Sequence, residues 1–138
     1  MNNIKRFGVS IEKPLLEKFD DFIKSKNYPN RSEALRDLIR KKFVEEKWLQ
    51  TEEEAAGVII LVYDHHKRKL IEHLIDIQHD YSKIIISTQY IHLNNNIYLE
   101  LIAVKGKIKE IYKLNLKLKS INGIKYISLA KSTLAKEI

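Results

Sequence analysis

In residues 6–11, Phe7, Val9 and Ile11 alternate with Arg6, Gly8 and Ser10. This is the period-two pattern of a strand with one apolar face and one short, polar, basic face. Nothing else in the first part of the chain reads as a strand. Pro14 suits the first turn of a helix, where a missing N–H costs nothing. Leu15, Phe19, Phe22 and Ile23 then form an amphipathic stripe that ends at Asn27–Asn30. Asn30 and Glu33 make an N-cap and a capping-box-like pair. The second helix they start carries Ala34, Leu35, Leu38, Ile39 and Phe43 inward and continues to about Gln50. A lone strand has no backbone partner, and a module of about 50 residues buries too little to stand alone. The pattern therefore predicts a two-fold dimer in which two copies of the strand pair antiparallel. Arg6, Gly8 and Ser10 of both chains then project outward, on a ribbon of the size that enters the DNA major groove.

The charge balance agrees with a polyanionic partner. Lys and Arg number 25 against 18 Asp and Glu, a formal charge of +7 and a pI near 9.5. Such an excess favours nucleic acid ahead of a membrane surface, but it is spread evenly and does not locate a face. With 44% apolar and 31% charged residues the chain should bury a core. The absence of cysteine excludes a disulfide framework, a thiolate zinc finger and a cysteine nucleophile. No apolar run approaches the roughly 20 residues of a membrane span, and no signal segment opens the chain. A cytoplasmic location is expected. There is no Gly-rich phosphate loop, no H-E-x-x-H and no G-x-S-x-G, so an enzyme is not expected.

Thr51–Glu54 change the composition and mark the expected junction between residues 1–50 and 51–138. Beyond it, Val58–Tyr63 reads as a strand, Asp64–Ile77 as a helix and Lys83–Leu93 as a strand. Asn94–Asn96 is a turn, Ile97–Val104 a strand, Ile108–Lys119 a helix and Ile124–Ala130 a last strand. The order is βαββαβ, a ferredoxin-like unit with helices on one sheet face, and the whole chain is α+β.

At NRSEALRD (Asn30–Asp37), VYDHHKRKL (Val62–Leu70), DIQH (Asp76–His79) and IHLNNN (Ile91–Asn96), the chain resembles the nickel-responsive regulator family of ribbon–helix–helix repressors. The first stretch is common to many ribbon–helix–helix proteins; the last three together are specific. The resemblance implies a homotetramer, a dimer of dimers, that binds a palindromic double-stranded operator. Its ACT-like, ferredoxin-like domains would form the core and bind nickel or another divalent transition metal at their interface. The family's base contacts fall on Arg6, Gly8 and Ser10, although a glycine offers only backbone. Its phosphate contacts fall on Lys67 and Arg68. Acidic ligands of a second, structural monovalent cation fall on Glu33 and Asp37, completed by carbonyls near Lys119, Ile121 and Ile124.

The metal ligands depart from the family pattern. His79 and His92 remain, but Tyr90 stands at the other histidine position and Tyr98 at the cysteine position. Strand alternation puts Tyr90 and His92 on one face, and Tyr98 and Glu100 on one face of the next strand. With the three asparagines as the turn, His92 should sit opposite Tyr98 and Tyr90 opposite Glu100. The resulting histidine–carboxylate–phenol cluster, with His79 from a neighbouring subunit, is harder than the family site. The same residues can equally pack a subunit interface, with each phenol hydroxyl satisfied by a histidine or carboxylate. Glu33 and Asp37 can equally cap a helix and pair with Arg36 or Arg40. His66 and His73 are expected on one helix face, two turns apart and too far for one ion. Other readings of the whole are a metal-independent or organic-ligand-sensing regulator and a toxin-neutralising ribbon–helix–helix protein. The last usually carries an extended tail, against which the patterned residues 55–130 argue.

Overall fold

The computed structural model describes residues 3–136 and Ile138. The chain divides into two compact units, Met1–Lys41 and Lys42–Ile138. In the first, α1 spans Lys13–Ser25 with Pro14 in its first turn, and α2 begins at Arg31 and runs to Lys47. Asn30 caps α2 through its side-chain oxygen, which accepts the Glu33 N–H at 2.9 Å. Arg31 grips Asp20 of α1 with two bonds of 2.8 Å. Ile23 and Ala34 are buried.

Residues 3–11 form no strand and are exposed throughout. The expected strand is thus absent from the single chain, because an extended segment needs a second backbone to bond with. Leu38, Ile39 and Phe43, expected inward, are exposed. The same reason applies: one helical pair does not enclose both helices. The expected continuation of α2 to Gln50 stops at Lys47, one residue before the buried Trp48. Its indole N–H donates to the Ser132 carbonyl at 2.9 Å.

In the second unit the elements are β1 (Glu54–Asp64), α3 (Arg68–Asp80), β2 (Ile85–His92), β3 (Ile97–Lys107), α4 (Ile108–Lys119) and β4 (Tyr126–Lys131). They follow the βαββαβ order and form one antiparallel sheet, β2-β3-β1-β4. Along β1 burial alternates, so that Ile59, Leu61 and Tyr63 face the core with Ile102 and Val104 of β3. The helices close that core with Leu70 and Leu74 of α3, and with Ile108, Ile111, Leu114 and Leu118 of α4. On the other sheet face Val58, Ile60 and Val62 pair with Ala103, Leu101 and Leu99, and all are half-buried.

The expected helix start at Asp64 is corrected to Arg68. Asp64 is the last residue of β1, paired with Ile97, and its Oδ1 accepts the His66 N–H at 2.9 Å. This local bond holds residues 64–67 in a turn and competes with helix. Consequently His66 is not on the helix that carries His73.

Candidate functional site

The β2–β3 hairpin sets the site. Asn94 Oδ1 accepts the backbone N–H groups of Asn96 and Ile97, each at 2.9 Å, and fixes the asparagine turn. The register that follows places His92 opposite Tyr98 and Tyr90 opposite Glu100, as alternation predicts. On the adjoining strand Tyr63 pairs with Tyr98. These residues share the helix-facing side of the sheet near its turn end.

Glu100 is wholly buried. Its Oε1 accepts the Tyr63 hydroxyl at 2.5 Å and its Oε2 accepts the Gln78 side-chain amide at 2.8 Å. Both donors are neutral. Burial pushes the Glu100 carboxyl above the usual carboxylate range, and the two hydrogen bonds pull it part of the way back. Tyr63 is held far above the ordinary phenol value by its own burial, then by its bond to Glu100. Tyr90 is also pushed up, first by burial and then by the charges of Glu100 and Tyr98.

Above Glu100 lies an open pocket of ≈ 340 Å³. Tyr63, Tyr90 and Tyr98 line it with Gln78, and Ile71, Leu74 and Ile75 of α3 form an apolar wall. Ring centroids are 5.8 Å apart for Tyr90 and Tyr98, and 6.1 Å for Tyr63 and Tyr98. Among the described residues, no Lys, Arg or His lines the pocket. Beside it, the His65 ring stacks on Tyr98 at 4.2 Å, and His92 meets Tyr98 edge-on at 4.5 Å.

Of the expected metal ligands, His92, Tyr90, Tyr98 and Glu100 come together on the strand pair. His79 lies on the last turn of α3 and is exposed. Among the described residues, no three His, Cys, Asp or Glu side chains are grouped to hold a metal ion. Glu33 pairs with Arg36, while Asp37 accepts the Tyr28 hydroxyl and pairs with Lys41 at 3.1 Å. Tyr28 and Lys41 hold the Asp37 carboxyl below its usual range. Lys67 and Arg68 are exposed at the start of α3, and Arg6, Gly8 and Ser10 are exposed in the N-terminal segment.

Two residues of this site escaped the sequence reading: Tyr63 and Gln78. Both carried a signal. Tyr63 continues the inward series Ile59 and Leu61 at period two, and Gln78 follows Ile71 and Leu74 at helical spacing. A polar group on an otherwise apolar face needs a partner when buried.

Comparisons with known proteins identify the family of the chain. Residues 56–132 match the family model described as the NikR C terminal nickel binding domain. A nickel-responsive regulator by name from Chlorobium phaeobacteroides is 51% identical over 96% of this chain and 98% of its own. Relatives bearing the same name from Syntrophus aciditrophicus (50% identity, 94% of each chain) and Pyrococcus furiosus (44% identity, 98% of each chain) also match. The chain belongs to the nickel-responsive regulator family. A solved structure of an uncharacterized protein from Thermotoga maritima covers 57% of this chain and 98% of its own, with a TM-score of 0.52 at 16% identity. That likeness concerns the fold alone.

Proposed function

We propose that this chain is a sequence-specific, DNA-binding transcriptional repressor without enzymatic activity. Residues 1–50 would bind DNA, and residues 51–138 would form a ferredoxin-like regulatory and tetramerisation domain. The observation that carries this reading is the exposed N-terminal segment, in which Phe7 and Val9 are 71% and 66% exposed. Apolar residues at alternate positions are costly in water, and pairing with a second copy of the segment would bury them. Arg6, Gly8 and Ser10 then face the groove of a palindromic operator, and Lys67 and Arg68 contact phosphates. The half-buried face around Ile60 and Leu101 supports a further contact that makes a dimer of dimers.

The metal site is altered in this reading. Four-coordinate planar nickel in this family draws on strong-field donors that include a thiolate, and this chain has no cysteine. Phenols are poor ligands near neutral pH, and the shift of Tyr90 makes it poorer still. Both oxygens of Glu100 are already engaged. The donor set therefore does not fit planar nickel. Any metal held here would be N/O-coordinated through His92 and His79.

The test is operator binding by the full chain, with and without a panel of divalent metals, together with its mass by light scattering. A tetramer that selects one palindrome over random DNA is expected. Arg6→Ala should lose about 1–3 kcal/mol of discrimination while non-specific binding changes little. Equal binding to operator and random DNA, or a monomer, would overturn the reading.

A further inference from the structure

Glu100 poses a problem that the regulator reading leaves open. An ionised carboxylate with no exposure is costly without a counter-charge, and hydrogen bonds from two neutral donors do not supply one. Among the described residues of the single chain, no cationic side chain lines the space beside it. That space is bounded by Tyr63, Tyr90 and Tyr98, with the Tyr98 ring 5.8 Å from Tyr90 and 6.1 Å from Tyr63, and an aromatic face attracts a cation within ≈ 6 Å. Its remaining wall is the aliphatic Ile71, Leu74 and Ile75. A bare metal ion would find only phenols and an amide beside a carboxylate whose oxygens each already accept a hydrogen bond. An anion would meet Glu100 itself. A weakly hydrated cation with an apolar body answers both halves of the pocket.

We propose that this pocket binds a small organic ammonium ion, its head against the phenol rings over Glu100 and its alkyl part against Ile71, Leu74 and Ile75. The proposal rests on the reading that the site has lost planar nickel, and it names the class of ligand that replaces the metal. Attraction to the aromatic faces and to the carboxylate needs no inner-sphere bond, so the Tyr63–Glu100–Gln78 bonds stay intact. The apolar wall favours an alkylated head over ammonia or potassium.

Calorimetric titration of the full chain with choline, beside its neutral isostere 3,3-dimethyl-1-butanol, tests this directly. Saturable choline binding at least tenfold tighter than that of the isostere is expected. Glu100→Gln should weaken it at least tenfold. Tyr90→Leu, at a residue 54% exposed and outside the packed core, should weaken it severalfold without threatening the fold. No saturable choline signal, equal binding of the isostere, or unchanged affinity in both variants would overturn the proposal. So would displacement of choline by potassium at equal concentration. Nickel is titrated separately: a yellow, diamagnetic complex would defeat the altered-site reading itself. Its absence together with silent choline titrations would defeat only the ammonium site.

Discussion

The Tyr63 hydroxyl donates to Glu100 Oε1 at 2.5 Å, between diagonal neighbours on the antiparallel strands β1 and β3. This bond and the one from Gln78 satisfy a carboxylate that has no contact with solvent. Tyr63→Phe should therefore leave one carboxylate oxygen unpaired at nearly constant side-chain volume. A loss of about 1–3 kcal/mol in stability is expected from urea unfolding. An unchanged midpoint would show that the bond contributes nothing.

The close approach of β1 and β4 makes a second expectation. A Cβ at Gly57 would lie 2.8 Å from the Ala130 carbonyl oxygen, a backbone atom in the paired strand β4. That oxygen cannot swing aside as a side chain would. Gly57→Ala should cost about 1–3 kcal/mol, as other forced insertions into packed regions do. Thermal unfolding of the variant checks this, and equal or greater stability would contradict it.

Asp20 is predicted to titrate low. Its hydrogen bonds from Arg31, helped by the charges of Arg31 and Lys24, hold the carboxyl below its ordinary value of 3.8. A lowered folded value means that the ion pair contributes at pH values above 3.8 and that its contribution is lost as pH falls through the folded value. Carboxyl-resolved NMR titration should find the Asp20 midpoint below 3.8, and Arg31→Gln should return it toward that value. A midpoint indifferent to Arg31→Gln would refute the pairing in solution.

Nickel titration of the wild-type chain should give a weak complex of higher coordination number, and His92→Ala should weaken it further. Tyr90→His combined with Tyr98→Cys supplies an imidazole and a thiolate on the same strand pair. The double variant should gain tight, planar nickel binding with its charge-transfer absorption. No gain in the double variant would mean that the lost donors are not the reason for weak binding.

Much of this site was legible before the structure. Tyr90, His92, Tyr98 and Glu100 lie on one hairpin, and the Asn94–Asn96 turn sets its register, so their cross-strand pairing follows from local rules. The α4 boundaries Ile108–Lys119 also follow from the sequence pattern. By contrast, the start of α3 moved because one side-chain bond from Asp64 outweighed a helical periodicity that began too early. Residues 3–11 form no strand, because an extended segment needs a second backbone to bond with and none of the described residues pairs with it.

The sequence by itself determined which residues share a face, since strand and helix periods are properties of the backbone. It also determined that no thiolate is available to any metal. Only the tertiary structure decided that Glu100 is buried and that its partners are Tyr63 and Gln78, 37 and 22 residues away along the chain. Burial and long-range pairing depend on how α3 packs with the sheet to form one core, and period alone carries no information about which residues from separate elements will meet.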